Sequence, residues 1–247
     1  MDNAVSVSPE IRILSIDIGG TGIKADVLDA EGAPLAERVR VKTPTPPLSP
    51  EALMAAVRQV VEPLKRLEFN RVSIGFPGVI RQGVILTAPN LGSETLKGFD
   101  FAGTLAKELG YPTRVINDAD MQGLAVVGGK GVELVITLGT GMGSALFSEG
   151  QLGPHLELSH HPFRKGETYE QQIGNLALKK IGTKKWNRRV QKAVRNLQIL
   201  TNFDHLYIGG GNAKEVDFPL AANMTTVDNS NGIKGGAFLW RQHSQPD

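Results

Sequence analysis

The chain has 247 residues, and its 40% hydrophobic content is typical of a packed globular protein, which excludes intrinsic disorder. It contains no cysteine, which excludes disulfides, thiol catalysis and cysteine-ligated zinc and fits a reducing compartment. The net charge of +2 hides an uneven distribution. The segment 171–203 has no acidic residue and eight basic ones, whereas the remainder has 19 basic residues (27 less these eight) against 25 acidic ones. This asymmetry indicates a polyanionic partner.

Neither an export signal nor a membrane segment is predicted. The first ten residues are polar and lack the charged start and apolar run of a secretion signal. No segment approaches the roughly 18 consecutive apolar residues of a membrane span. We therefore expect a cytoplasmic protein with no membrane partner.

The first half of the chain predicts a hairpin followed by alternating helices and strands. An apolar run over 11–16 ends at Asp17 and a glycine-rich turn, and 23–28 resumes the strand pattern. A third run, 37–42, leads through four prolines to a helix predicted over 51–67. The next predicted elements are a strand over 72–76, a helix over 101–109 closed by Gly110, and a strand over 114–116 that ends at Asn117, Asp118 and Asp120.

The second half repeats this plan. A strand over 132–138, a glycine turn over 139–143 and a strand over 144–147 match the opening hairpin, and the two turns are 120 residues apart (139 less 19). Such repetition indicates a duplicated architecture whose turns face each other across a cleft. Further elements are predicted as helices over 169–181 and 184–200, a strand over 205–208, a third glycine cluster over 209–211, and a helix over 235–240 that returns to the first half.

Glycine turns of this kind have two interpretations, a structural turn or a phosphate site. Glycine permits positive φ and lets backbone N–H groups approach an anion. The first turn lacks the Gly-Lys-Ser/Thr ending of a P-loop. Neither turn has the Gly-x-Gly-x-x-Gly spacing that precedes a helix in dinucleotide-binding folds. Two related turns and a third cluster favour phosphate binding.

The segments 17–24, 138–143 and 209–212 resemble the two phosphate segments and the adenosine segment of sugar kinases with an actin-like ATPase fold. Their order and spacing are similar to those of the bacterial ROK family, from about Ile11 to Trp240. The resemblance implies an α/β, duplicated, ribonuclease H-like fold with two α/β domains around a cleft. We expect a smaller domain over 1–117, joined by a C-terminal helix at about 235–247, and a larger domain over 118–234.

The resemblance also implies which residues hold the phosphate donor. They are Asp17, Gly19, Gly20, Thr21, Gly22, Lys24, Gly139, Thr140, Gly141, Gly209, Gly210 and Gly211. The implied metal is Mg²⁺ on the donor, with Asp17 as a candidate for holding its hydration shell; a plain turn acceptor is the alternative for Asp17.

Asp118 is the candidate general base, because phosphoryl transfer to a sugar needs a group that accepts the hydroxyl proton. The alternative makes Asn117 and Asp118 a cap for a helix over 119–127. In the family this Asn-Asp pair holds the sugar and supplies the base.

A dense polar cluster over 155–162 is the second candidate part of the site. Its spacing is not that of a zinc site, so no structural zinc is expected. Glu157 and His160 match the Glu-x-x-His element that contacts the sugar in the family. Glu170 matches a further sugar-binding Glu, and Asn90 resembles an asparagine that reaches the sugar from the first half, with a turn residue as its alternative.

The sequence departs from the typical family pattern at one segment, and this departure indicates a particular branch of the family. The family's cysteine-rich zinc loop is replaced by 162–170, which together with 179–190 is similar to polyphosphate glucokinases, including those that also accept ATP and mannose. The basic residues are then interpreted as a track for polyphosphate, with a solvated helix face as the alternative. The track comprises Lys165, Lys184, Lys185, Arg188, Arg189 and Lys192.

The sequence therefore predicts a kinase that moves a terminal phosphate from polyphosphate or ATP to the 6-hydroxyl of glucose or mannose. The runner-up is an ATP-only glucokinase or fructokinase. A sugar-responsive or nucleic-acid-binding protein without catalysis is the alternative from another class. Nucleic acid is disfavoured because Trp186 is the only aromatic residue among the basic ones, and a DNA-binding helix pair has no room before the first strand. Monomer and homodimer are both open.

Overall fold

The computed structural model describes residues 10–228 and 232–242. The first half of the chain forms a mixed sheet with helices packed against it. Its elements are β1 (Ile13–Ile18), β2 (Gly22–Leu28), β3 (Val39–Lys42), α1 (Pro50–Val61), β4 (Arg71–Phe76), β5 (Ile80–Arg81), β6 (Val84–Ile85), α2 (Ser93–Leu96), α3 (Phe101–Leu109) and β7 (Thr113–Asn117).

The second half contains a second mixed sheet and the longest helix. Its elements are α4 (Asp118–Leu124), β8 (Val132–Leu138), β9 (Met142–Ser148), β10 (Gln151–Leu152), β11 (Pro162–Arg164), β12 (Glu167–Thr168), α5 (Tyr169–Ile173), α6 (Asn175–Ile181), α7 (Thr183–Thr201), β13 (His205–Gly209), β14 (Met224–Thr226) and α8 (Gly235–Phe238). Short 3₁₀ turns lie at Glu62–Leu64, Leu158–His160, Ala213–Glu215 and Leu239–Arg241.

The two sheets have the same strand order. They run β3-β2-β1-β4-β7 and β10-β9-β8-β13-β14. In each sheet the first two long strands form an antiparallel hairpin, and two later strands extend the sheet in parallel. The predicted duplicated α/β fold is therefore confirmed.

Each sheet has its own apolar core. The first sheet packs its apolar face against α1 and α3, and the second packs against α5 and α7. Helix α4 lies between them, because it contacts β4 and β7 of the first sheet as well as β8 and β9 of the second. Its N-terminus is thereby positioned where the two halves meet. The division into domains over 1–117 and 118–234 stays a prediction.

The chain returns to the first half through α8, as predicted. Ser15 Oγ donates to the carbonyl of Ile233 (2.6 Å), and Ser73 Oγ donates to that of Gly236 (2.7 Å). A Cβ on Gly236 would overlap the Ser15 hydroxyl, so glycine lets this helix approach the sheet. Residues 243–247 of the predicted C-terminal helix lie outside the described residues.

Two predicted helices were wrong in extent. The helix expected over 51–67 ends at Val61 and continues only as the 3₁₀ turn Glu62–Leu64, because Pro63 has no N–H to extend an α-helix. The helix expected over 169–181 is interrupted at Gly174, whose ψ of 173° is extended. The short strands β5, β6, β11, β12 and β14 were not predicted.

Within the described ranges, 10–228 and 232–242, no helix combines the length and the apolar character needed to cross a membrane.

Candidate active site

A cleft of about 500 Å³ lies between the two halves. Both hairpin turns, the N-terminus of α4 and the third glycine cluster line it. The predicted site residues in its wall are Asp17, Gly19, Gly20, Thr21, Lys24, Asn90, Asn117, Asp118, Gly139, Thr140, Gly141, Glu157, His160, Glu170, Gly210 and Gly211. Two predicted glycines, Gly22 and Gly209, are not part of the wall; both are buried in strands, where they lie against the side chains of Arg40 and Gln122.

The first glycine turn connects β1 to β2. The N–H of Gly19 donates to the carbonyl of Gly22 (3.0 Å), and the Thr43 hydroxyl donates to the carbonyl of Gly19 (2.6 Å). Asp17 and Lys24 are opposite each other in the hairpin, and Lys24 Nζ lies 3.1 Å from Asp17 Oδ2. The turn thus presents a cation, a carboxylate and backbone amides to the cleft.

The second glycine turn connects β8 to β9 and is braced from outside. The N–H of Asn175 donates to the carbonyl of Gly139 (2.9 Å). A Cβ on Gly174 would overlap the carbonyl oxygen of Thr140. The interruption between α5 and α6 therefore has a physical cause, since the backbone at Gly174 must approach the turn closely.

The third glycine cluster supports the second turn from the other side. Gly210 has a φ of +87°, and a Cβ there would overlap the backbone of Leu138. The side-chain amide of Asn212 donates to the carbonyl of Gly139 (3.2 Å). The second and third glycine segments therefore form one wall.

Asn117 and Asp118 lie where β7 passes into α4. Asn117 is the N-cap residue, and its side-chain oxygen accepts from the N–H of Ala119 (2.8 Å). Its amide nitrogen donates to the carbonyl of Gly78 (3.1 Å). The capping alternative is therefore realised at Asn117. Asp118 is the first helical residue and borders the cleft.

The environment of Asp118 changes its acidity. Burial, followed by the nearby carboxylate of Asp17, raises the pKa of Asp118 to about 7, and Asp120 acts in the same direction. The N–H of Ala119 and the charge of His155 oppose this rise. A carboxyl with a pKa near neutrality suits proton transfer, because it is partly ionised and yet basic enough to accept a proton.

Two of the residues expected to contact a sugar, His160 and Glu170, lie beside the second glycine turn. His160 Nδ1 lies 3.6 Å from Glu170 Oε2. A Cβ on Gly141 would lie 3.2 Å from the Glu170 carboxyl carbon, so this carboxylate is beside the turn. Asn90 is exposed in the opposite wall.

Three residues of this region were not among the predicted site residues. His155 and Gln122 line the cleft, and Asp120 binds His155 with Oδ2 2.8 Å from Nδ1. Gln122 lies one turn after Asp118 on α4, and its amide nitrogen has no hydrogen-bond partner among the described residues. Helical spacing from Asp118 was a usable signal for Gln122. No local pattern connects His155 with Asp120, which is 35 residues away.

The basic residues of the predicted track do not line the cleft. Lys184, Lys185, Arg188 and Lys192 are exposed on α7. Arg189 is half-buried and donates to the carbonyl of Gln172 (3.2 Å). Lys165 occupies the turn of the β11–β12 hairpin, and Lys192 Nζ lies 5.9 Å from the ring of Phe163 in the same hairpin. The basic surface is therefore adjacent to the hairpin that links His160 to Glu170.

A metal cage is not found in the described part of the chain, since no three of its His, Asp or Glu side chains form a group that could hold an ion.

Comparison with known proteins agrees with this arrangement. The sequence profile described as "ROK family" matches residues 13–167. The polyphosphate glucokinase of Mycobacterium tuberculosis is 31% identical over 238 residues, which cover 90% of this chain and 88% of that protein. The polyphosphate glucokinase of Mycobacterium leprae is 29% identical over 242 residues, covering 92% of this chain and 74% of that protein.

The fold is also similar to a solved structure. The inorganic polyphosphate/ATP-glucomannokinase of Arthrobacter sp. strain KM superposes with a TM-score of 0.83 at 34% identity. The match covers 94% of this chain and all of that one.

Proposed function

The chain belongs to the ROK family, and from this premise we propose that it is a glucokinase that uses inorganic polyphosphate or ATP. It transfers the terminal phosphate to the 6-hydroxyl of glucose, and mannose is a second acceptor. The observation that carries the proposal is the position of Asp118 in a cleft between two glycine turns, where its surroundings raise its pKa to about 7. The names of the relatives, polyphosphate glucokinase and polyphosphate/ATP-glucomannokinase, support the choice of acceptor and donors.

In the proposed reaction Asp118 is the general base. Its carboxylate takes the proton from the sugar O6–H, and O6 forms a bond to the terminal phosphorus of the donor. The bond between that phosphorus and the bridging oxygen breaks, and the shortened polyphosphate or ADP leaves. Holding the hydroxyl, the base and the phosphorus in line supplies most of the rate, because phosphoryl transfer needs little covalent help from the protein.

Each wall of the cleft has a separate task in this proposal. The backbone amides of the glycine turns, with Thr21, Thr140 and Lys24, hold the donor phosphates. Asn90, Asn117, Glu157, His160 and Glu170 hold the sugar. The side chain of Asn117 caps α4 and donates to the carbonyl of Gly78. We therefore assign Asn117 a second task, which is to position the adjacent Asp118.

The donor brings Mg²⁺, which neutralises phosphate charge when bound. Mg²⁺ is held in proteins by one or two carboxylates together with substrate phosphates and water. Asp17 fits this requirement, because its carboxylate, which pairs with Lys24 at 3.1 Å, borders the cleft and acts electrostatically on Asp118.

The basic surface is the proposed track for the rest of a polyphosphate chain. Lys165, Lys184, Lys185, Arg188 and Lys192 are exposed and lie next to the hairpin that joins two proposed sugar residues. A repeating anion binds such a surface by releasing counterions. Arg189 contributes charge from a half-buried position.

The test is a matrix of glucose, mannose and fructose against ATP and polyphosphate in the presence of Mg²⁺, measured as hexose 6-phosphate formed. We expect product from glucose and mannose with both donors. Product from ATP alone would replace the proposal with an ATP-only kinase, and no product with any pair would refute kinase activity. A cytoplasmic location and a monomeric or homodimeric state stay predictions.

The track has its own test. Replacing Lys184, Lys185, Arg188 and Lys192 with Gln should raise the KM for polyphosphate by tenfold or more, on the order expected for lost phosphate contacts, and leave the KM for ATP nearly unchanged. The matched control removes four exposed lysines elsewhere, namely Lys97, Lys107, Lys130 and Lys214. Equal losses with both donors would argue against a polyphosphate track.

A further inference from the structure

His155 is a buried histidine between two carboxylates. It lies in the loop between β10 and the 3₁₀ turn Leu158–His160, and its Nδ1 is 2.8 Å from Asp120 Oδ2. The side chains of His155 and Asp120 are only 7% and 4% exposed. The contact joins the loop that carries Glu157 to the helix that carries Asp118.

The second ring nitrogen faces Glu157. His155 Nε2 lies 3.7 Å from Glu157 Oε2, and it has no hydrogen-bond partner among the described residues. Glu157 is 31% exposed and borders the cleft, so its carboxylate is available to a ligand from one side and attracted to the imidazole from the other.

The imidazole is held in its charged form. Burial alone would lower the pKa of His155, but the hydrogen bond to Asp120 and the carboxylate of Glu157 outweigh burial and raise it to about 10. The same contact with His155 lowers the pKa of Glu157 despite burial. The charge of His155 also acts on Asp118 of α4, and His160 on the following turn acts on Glu157.

A buried cation between two carboxylates fixes the orientation of both, because each oxygen that turns away loses its counter-charge in a region of low dielectric constant. His160 contrasts with this arrangement. Its side chain is 49% exposed, and its Nδ1 lies 3.6 Å from Glu170, so water can replace that contact.

We propose that His155 is a positioning residue that holds the Glu157 carboxylate toward the acceptor sugar and ties it to the base-bearing helix through Asp120. This inference rests on the proposed function for the identity of the acceptor. It assigns no proton transfer to His155, because both of its ring nitrogens face carboxylates.

Two consequences are measurable. His155→Gln removes the charge, and we expect the KM for glucose to rise by about tenfold to a hundredfold, with a much smaller change in kcat and in the KM for the donor. Asp120→Asn keeps the shape of the side chain that accepts the hydrogen bond from His155 but removes its charge. The His155 imidazole should therefore titrate at a lower pH than in the unaltered protein.

The first measurement is ¹⁵N NMR of the imidazole nitrogens, which needs no activity. In the unaltered protein the His155 signals, identified by their loss in His155→Gln, should stay those of an imidazolium from pH 6 to 9. His161→Gln is the matched control, because His161 is exposed and its Nδ1 bonds only the carbonyl of Pro162. A His155 that titrates near pH 6.5 would overturn the proposal.

The second measurement is glucose binding by calorimetry beside steady-state kinetics, with thermal unfolding as the check on folding. Weaker glucose binding with nearly intact kcat supports positioning. Unchanged binding in His155→Gln, or a loss confined to kcat, would refute it. If His155→Gln does not fold, Asp120→Asn carries both tests. Failure of the unaltered protein to phosphorylate glucose would count against the proposed function instead, and the NMR result would still report the state of His155.

Discussion

The two glycine turns occupy the same place in their sheets but are supported differently. The first turn is joined to its surroundings by the Thr43 hydroxyl, and a Cβ on Gly20 would meet no atom within 4 Å. The second turn is braced by the backbone at Gly174 and Asn175 and by the side chain of Asn212. Duplication has therefore repeated the hairpin and a backbone hydrogen bond inside its turn, but not the contacts that support the turn from outside.

This difference shows how similar hairpins acquire distinct roles. The first turn is open to the cleft and carries the charged pair Asp17 and Lys24. The second turn is packed against the segment that carries Glu170. In the proposed kinase the first turn supplies charge near the reacting phosphate, and the second fixes the sugar-binding wall relative to the donor.

The largest effect is expected at Asp118, where both turns meet. Asp118→Asn removes the base and should lower kcat by about 10²- to 10⁴-fold, with a smaller change in glucose KM. The matched control is Asp100→Asn, because Asp100 caps α3 on the exposed surface. Turnover that survives in Asp118→Asn would remove Asp118 as the base.

The charge of the first turn should appear in the pH profile. The base must be ionised, so kcat/KM for glucose should fall about tenfold per pH unit below pH 7, where Asp118 gains its proton. Asp17→Asn removes one of the charges that raise this pKa, so the acid limb should move to lower pH. Asp29→Asn, in an exposed turn of the same half, is the control. An acid limb that stays in place in Asp17→Asn would contradict the coupling between the two carboxylates.

The packing of the second turn can be broken at Gly174. Gly174→Ala introduces a methyl group against the carbonyl of Thr140 and should destabilise the fold by about 1–3 kcal/mol, as overpacking does. Chemical denaturation measures this change. Gly128→Ala is the control, because the nearest atoms to its Cβ are at 3.4 Å or beyond. Equal stability of the two variants would show that the backbone around Gly174 accommodates a methyl group as easily as the loop at Gly128 does.

The smallest effect is expected at Thr43, whose hydroxyl supports the first turn. Thr43→Val removes the bond to the carbonyl of Gly19 and should cost about 1 kcal/mol of stability with a modest rise in donor KM. Thr113→Val, at a half-buried threonine in β7 whose hydroxyl donates only to the nearby Tyr111 carbonyl, should change neither quantity appreciably. A loss of stability as large as that in Gly174→Ala would mean that both turns depend equally on their supports.

Most strands of the two sheets could be predicted because they are short apolar runs ended by glycine or by a polar pair. The hairpins around both glycine turns and the strand before Asn117 are of this kind. The helix expected over 51–67 was too long, although Pro63 carried the signal for its end. The short strands β11 and β12 were not predicted, because strands of two or three residues are too short to show an alternating pattern.

The site also has a part that could be predicted from the sequence and a part that could not. Asp118, Glu157, His160 and the glycines were named from motifs, and the structure brings them to one cleft except for Gly22 and Gly209. The basic residues were predicted as a polyphosphate track, and the structure places them outside the cleft beside the β11–β12 hairpin. Helical spacing defines the face on which a charge lies, but it does not define what that face adjoins.

The sequence by itself determined the repeated hairpins, the glycine segments and the polar residues at strand ends, because turn chemistry and strand periodicity act over a few neighbouring residues. Only the tertiary structure decided that Gly174 must interrupt a helix to meet Thr140, and that His155 lies against Asp120. These contacts join residues about 35 positions apart. The first contact depends on how the segment between α5 and α6 packs against the second glycine turn, and the second on how the loop before Glu157 packs against α4. No local pattern encodes either arrangement.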